Sequence, residues 1–595
     1  MSLRSLLSVP ILLVLTSALS SPIQAQVQLD RLFPCVVQSG TTATIKAEGK
    51  FPTWPAKLVS DREDVQWATE DESGNIRVTV PEGTAPGVTW LRLTDDKSSS
   101  DLVPLLITGA PTLTETEPNQ TSSEANQVKL PIAVCGKLGK SGDLDAYRLT
   151  AKSGESINVS LIANRILASP MDAVLQIADI QGNVLEQEDD SRGLDPSIRF
   201  VAPEDGDYLI RVFAFPETPN STIGYAGAAN FLYCLTIAQA DRFVEHFLPL
   251  ELAKSSEPGA DTSAETLGAA AVNDSPNSAI TPTESASNRV QSQPQPFGWQ
   301  LPQDTSIKLT EATAVSPRVA SANGLLGWQW IPEIDDQTMA NVIEDSNVAN
   351  ETTTPSEPLI SQKVPFCFSG HLSTQREVDV ISFDVQAGVQ YRLSVDSKRL
   401  GYPIDTELKV IDSKTRETIA SNDDQSRNNY DSVVSFTAKE DGQCTAEIRD
   451  AVDGHGPHHA YTLKVQQVQP TFSLSVAAQR YTVEPGKTLE VTVSVTRENG
   501  FNLPVEISLS PISDPKINQM ITAVPVTSEA KGDTAKAVKI TLSATEDASY
   551  QGWIQIVGRS IEEDETNTAT TAYATYSLRP EIDLKNLWLN VRPAK

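Results

Sequence analysis

Basic side chains are in short supply: 47 Lys and Arg stand against 77 Asp and Glu over 595 residues, a formal charge of −30. That balance argues against a nucleic-acid partner, whose phosphates it would repel, and leaves no basic patch for anionic lipid. Histidine is scarcer still, at five residues: His246, His371, His455, His458 and His459. There is no His-Glu-x-x-His helix and no Gly-x-Ser-x-Gly elbow, so no local catalytic signature stands out. The five cysteines, Cys35, Cys135, Cys234, Cys367 and Cys444, contain no Cys-x-x-Cys pair, which disfavours a structural zinc site. Their odd number leaves at least one thiol unpaired within a monomer. Cys135 with Cys234 and Cys367 with Cys444 is one reading, buried free thiols the other. Past the N-terminus no apolar run approaches the length of a bilayer helix, so membrane insertion is not expected.

What is present begins with Arg4, an apolar stretch from Leu6 to Leu19 and a small residue, Ala25. That order predicts a secretory signal peptide over 1–25 and export to the periplasm, cell surface or extracellular space. Beyond it the chain reads in twos. Ile157, Val159 and Leu161 alternate with polar neighbours, as do Tyr208, Ile210 and Val212, and Tyr461, Leu463 and Val465. Alternation puts one set of side chains on one face of a strand. Turn formers such as Glu204-Asp205-Gly206-Asp207 separate the runs, and no long helical period appears. The predicted class is mainly β, a multi-domain string of antiparallel β-sandwiches, since the length exceeds what one core serves.

A repeat appears when Gly136 is laid on Gly370. Val134-Cys135-Gly136-Lys137-Leu138 then answers Phe368-Ser369-Gly370-His371-Leu372, and Ala202-Pro203-Glu204-Asp205-Gly206 answers Ala438-Lys439-Glu440-Asp441-Gly442. Each copy ends in a strand bearing a tyrosine, Tyr233 or Tyr461. Glu117-Pro118-Asn119, a Gly-x-Leu strand, Asp143-x-Asp145, Asp189-Asp190 and Asp205-Gly206-Asp207-Tyr208 follow in order, and this series resembles the bacterial pre-peptidase C-terminal domain. That family is related in fold to the collagen-binding domains of clostridial collagenases. The resemblance covers 111–240 and, more divergently, 351–470, and implies compact jelly-roll-like sandwiches attached to secreted peptidases without being peptidases.

Around these copies, strands at 26–110 and 471–595 read as immunoglobulin-like modules, including Leu489 to Val495 with its strict alternation. Residues 241–296 become rich in Ser, Ala, Thr and Pro and predict a linker, mobile over 250–296. Residues 297–350 suggest a small or degenerate β module whose other half lies near Phe243 to Leu252. Trp328 and Trp330 would share a strand face, either as an aromatic platform or as packing. Asp453-Gly454-His455-Gly456-Pro457-His458-His459 reads as a Gly-rich hairpin loop or a surface metal site.

Glu115, Glu117 and Asn119 recur every second residue, and Asp143 and Asp145 share that spacing. Extended backbone points such oxygens to one side, and calcium takes six to eight hard oxygen ligands. The resemblance implies a calcium site at these five positions, whereas solvated acids around a linker turn would look the same in sequence. Gln120 stands where an Asp would add a charged ligand. In the second copy Pro355-Ser356-Glu357-Pro358-Leu359 lacks the first Glu and the Asn although Glu377 and Asp379 persist, so a weaker site is expected there. The function expected is non-catalytic, calcium-associated binding or architecture toward an extracellular or envelope protein, a polysaccharide or a partner enzyme. The alternative is a secreted hydrolase, or the accessory subunit of one.

Overall fold

The computed structural model describes residues 26–218, 224–253, 294–302, 305–334, 339–344, 360–427, 429–512, 514–561 and 569–591. The expected signal peptide, most of the expected linker and the 355–359 segment lie outside them. The chain is a succession of β-sandwiches, and the two α-helices among the described residues, Asn164–Leu167 and Pro515–Met520, are short connectors. Alternation explains the strands directly: in Thr488–Glu498 the buried positions are Val491, Val493 and Val495, with exposed or partly exposed residues between them.

Residues 26–110 form two four-stranded sheets over a core that includes Ile45, Ile76, Val78, Leu91 and Leu105. The first repeat follows. One sheet runs in the order Asn126–Gln127, Asp145–Ala151, Gly206–Pro216, Met171–Asp179, Val184–Glu188. The facing sheet runs Thr112–Thr114, Ile132–Lys137, Leu232–Gln239, Ser156–Ile162, Ser197–Val201. The second repeat reproduces both orders strand for strand. Its sheets are Ile360–Gln362, Asp379–Val385, Gly442–Asp450, Thr406–Asp412, Thr418–Asn422 and Ala340–Ile343, Phe366–His371, Ala460–Gln467, Gln390–Asp396, Val433–Thr437. Even the short edge strands agree, each pairing parallel to its neighbour in sheets otherwise antiparallel.

The segment expected as linker is already folded up to Ala253. His246–Leu248 pairs with Gln295–Phe297, Leu252–Ala253 with Glu333–Ile334, and Ile307–Leu309, Arg318–Ala322 and Trp328–Ile331 make a third small sheet. Glu245 accounts for part of this order, since it accepts from the Arg199 guanidinium and, at 2.9 Å, from the Asn158 amide. The C-terminal residues form a large sheet and a three-stranded one over Val491, Val493, Ile507, Ile540 and Leu542.

The modules share buried surface. One apolar cluster draws Cys35 and Trp90 from the N-terminal sandwich, Cys135, Ile166 and Cys234 from the first repeat, Trp330 from the small module, and Ile582 and Leu584 from the C-terminal domain. Trp328 and Trp330 meet edge to face at 5.6 Å against this cluster, so the pair is interdomain packing and no open platform. Arg92, with no exposed surface, donates to Gln479 at 3.0 Å and sits 5.1 Å from the Trp588 ring centre.

All five cysteines are buried and unbonded. Cys367 lies outside the second repeat's core while Cys444 lies inside it, on the facing sheet, so the strand alternation itself keeps that pair apart. Cys135 and Cys234 sit directly opposite each other across neighbouring strands, with no bond between them.

Candidate metal centre

In the first repeat the chain leaves the edge strand Thr112–Thr114 straight into Glu115. Asp143 and Asp145 arrive from the turn before Asp145–Ala151, so topology brings the two acidic stretches together at one end of the sandwich. Glu117, Asp143 and Asp145 each place a carboxylate oxygen within 4.8 Å of the others. Asp143 and Asp145 are buried, Glu117 exposed and Glu115 partly buried.

Each acid is held from behind. Glu115 accepts from the Lys137 backbone N–H at 2.7 Å, and Asp143 from Gly139 N–H and the Gln120 amide, both at 2.7 Å. The Tyr233 hydroxyl donates to Asp145 at 2.5 Å and lies 2.6 Å from the Tyr147 hydroxyl. Gly136 makes room for that phenol, because a Cβ there would stand 2.2 Å from Tyr233 Cζ.

Electrostatics make this a site of excess negative charge. Burial first, then the neighbouring Glu115 carboxylate, pushes Asp145 up to about 9, and burial pushes Glu115 up to about 7. Burial and the Asp143 charge also raise Glu117. Charge on Asp145 and Glu115 is thus disfavoured when no cation offsets it. Asn119, fully buried, points an amide atom 3.2 Å from Glu117 Oε2 and 3.1 Å from Asp145 Oδ1. As oxygen that atom faces only acceptors, and as nitrogen it donates to both. Carboxylates gathered in this way beside an amide that could turn its oxygen toward them fit a hard divalent cation.

The second repeat holds the same arrangement, including an acid the sequence reading missed. Glu344, Glu377 and Asp379 are all buried and lie within 4.8 Å of one another. Glu344 follows its edge strand Ala340–Ile343 as Glu115 follows Thr112–Thr114, and it accepts from His371 N–H at 2.8 Å as Glu115 does from Lys137. Glu377 accepts from Ser373 and Thr374 N–H, both at 2.6 Å, and Tyr461 donates to Asp379 at 2.6 Å. Burial, followed by the Glu344 charge, drives Asp379 well above the carboxylate range.

The expectation that this copy lacks its first Glu is thus corrected: Glu344 supplies it, and five more residues separate it from the following strand than in the first copy. Leu113-Thr114-Glu115 against Val342-Ile343-Glu344, an apolar residue two places before the acid, was the available signal. The histidine loop brings no third ligand together. His459 Nε2 is 3.8 Å from Asp450 Oδ2, while His458 faces an interdomain cavity with Arg192 and Trp328.

Two matching sandwiches, each with a buried acidic cluster at one end and further β modules around them, define the class of molecule. A sequence profile described as the bacterial pre-peptidase C-terminal domain matches residues 143–214 and 377–449, one stretch in each sandwich. A probable subtilase-type serine protease of Deinococcus radiodurans is 31% identical over 159 residues, 23% of this chain and 21% of that protein. The chain therefore spans much less than two thirds of that relative. The pre-peptidase C-terminal domain of a collagenase from Bacillus anthracis is 16% identical over 21% of this chain and 99% of its own, with a TM-score of 0.16. PliG, a periplasmic inhibitor of g-type lysozyme from Aeromonas hydrophila, is 16% identical over 22% of this chain and 97% of its own, with a TM-score of 0.14. Each repeat thus contains a stretch that matches the pre-peptidase C-terminal domain. No described helix is long and apolar enough to cross a membrane.

Proposed function

We propose that this chain is an exported, non-catalytic binding and architectural protein whose two pre-peptidase C-terminal modules each take up calcium, and which attaches to an extracellular or envelope protein or polysaccharide. The observation that carries this reading is the duplication of the acidic cluster: Glu115, Glu117, Asp143 and Asp145 in one module and Glu344, Glu377 and Asp379 in the other. Buried carboxylates are costly unless compensated, and the same cost is met twice at the same place in the fold. Glu117 belongs to the carboxylate set of the first site, and Asn119, beside Glu117 and Asp145, would turn its amide oxygen to a cation bound there. Calcium would tie the 115–119 segment to the 143–145 turn and so order the end of the sandwich from which a ligand-binding surface is built.

The test is retention of chain 26–595 on immobilised gelatin and on insoluble polysaccharides, with calcium and with chelator. Calcium-dependent retention on one of them supports the reading; equal behaviour in both conditions removes calcium from it. A second reading, a hydrolase or an accessory piece of one, draws on the partial similarity to the Deinococcus protease. Casein turnover by the purified chain, abolished by a single-site change, would establish that alternative.

A further inference from the structure

The N-terminal sandwich and the first repeat meet thiol to thiol. Within the strand Ile132–Lys137, Val134 points into the sandwich core and Cys135 points out of it. Cys35 comes to meet it from the N-terminal sandwich, just before the strand Val36–Gln38. Their sulfurs lie 3.0 Å apart, the Cys35 backbone N–H points at Cys135 Sγ at 3.0 Å, and Cys35 Sγ is 3.4 Å from the Tyr233 carbonyl. Both residues are 1% exposed. The surrounding cluster of Val36, Trp90, Ala133 and Leu584 holds the contact and excludes water. Cys234, opposite Cys135 on the next strand, is the only other cysteine in this cluster.

We propose that Cys35 and Cys135 are a cross-linking site, joined in the exported protein by a disulfide that staples the N-terminal sandwich to the first pre-peptidase C-terminal module. This goes beyond the calcium reading and rests only on export into an oxidising compartment. A disulfide needs its sulfurs at about 2.05 Å, a closure of about one ångström from the present contact. The reaction is an exchange with a disulfide donor, a thiol oxidoreductase or oxidised glutathione. Each thiol gives up its proton; one thiolate attacks the donor disulfide and releases the first donor thiolate, and the second attacks the protein sulfur of the mixed disulfide and releases the other, so two electrons pass to the donor and leave it as two thiols. The contact with the Cys135 thiol, and then burial, raises the Cys35 thiol well above its ordinary range, so exchange takes place before the domains close over the pair. The link closes a loop across 100 positions, which restrains the unfolded chain strongly. Cys234 stays reduced beside it, while Cys367 and Cys444 are separated from the pair by their place in the second repeat.

Chain 26–595 is refolded in a mixture of reduced and oxidised glutathione, its free thiols alkylated in denaturant, and its peptides analysed by mass spectrometry. The expected result is one internal link, Cys35 to Cys135, present in Cys234→Ser and lost in Cys35→Ser. The oxidised wild type should melt about 5 °C or more above the reduced protein, and this difference should vanish in Cys35→Ser. The reduced wild type, compared by circular dichroism, shows that any loss in the variant is not a failure to fold. Full alkylation of all five thiols, or a Cys135 to Cys234 link, overturns the proposal. Because refolding is done in vitro, a missing link counts against the pair itself; N-terminal sequencing of secreted material tests export separately.

Discussion

Glu344 stands to the second sandwich as Glu115 stands to the first: each directly follows a parallel edge strand and each accepts the backbone N–H of the residue after a glycine, Lys137 in one case and His371 in the other. The equivalence extends to the phenol behind the site, since Tyr233 donates to Asp145 and Tyr461 to Asp379. Duplication thus preserved the acids and their support together.

Gly136 is where this support is most sensitive. A Cβ there would meet the Tyr233 ring at 2.2 Å, and the phenol could not keep its bond to Asp145. Gly136→Ala should cost about 1–3 kcal/mol in denaturant unfolding and weaken calcium uptake by the first module only. An unchanged midpoint with unchanged uptake would show that Tyr233 does not position the acid.

Arg165 and Glu581 join the first repeat to the C-terminal domain through a largely buried ion pair, with Arg165 Nε 2.9 Å from Glu581 Oε1. Glu581→Ala leaves the guanidinium without its carboxylate, and a loss of about 3 kcal/mol is expected in urea unfolding. A change below about 0.5 kcal/mol, the usual range of exposed pairs, would mean that the two domains do not depend on this contact.

Acid should loosen the centre of the molecule. His246, buried and stacked on Phe297 at 5.1 Å, is held well below its ordinary 6.5 by burial and then by nearby His371. Burial, with Arg192 next, pushes His458 down to about 3. Both are neutral in the folded chain, whereas the unfolded chain takes up their protons below about 6.5. The stability they allow is therefore complete above that pH and is lost as pH falls from about 6.5 toward 3. Melting temperatures at pH 7.5, 6, 5 and 4 should fall, and less steeply in His246→Phe; identical slopes would exclude His246 from the effect.

Much of the fold is legible in the sequence because a sandwich writes itself in alternation: Val491, Val493 and Val495 face the core as the pattern requires. The acids Asp143, Asp145, Glu377 and Asp379 are legible for a similar reason, being two apart at the start of a strand. Glu344 is harder to read because its partner positions lie across an insertion: the Val342-Ile343-Glu344 pattern is a faint signal, and the parallel pairing of Ala340–Ile343 with Phe366–His371 fixes its register. The shared core is less legible still. Cys35, Trp90 and Trp330 look like ordinary strand residues, and nothing local says that they are buried against one another and not each within its own module. Of the two readings of the cysteines, buried free thiols is the one the structure shows, and the fold sets Cys35 against Cys135 across two domains, a neighbourhood that nothing local in the sequence gives away.

A duplicated calcium site has a countable consequence, the number of calcium ions retained per chain in equilibrium dialysis of 26–595. Two ions per chain are expected, falling to one in the Asp143→Asn, Asp145→Asn double variant, to one in Glu344→Gln, Asp379→Asn, and to none when all four changes are combined. Uptake should also release protons, because Asp145 and Glu115, raised to about 9 and about 7, must give theirs up to bind metal. No retained calcium at millimolar concentration, or a count that none of these variants changes, would contradict it.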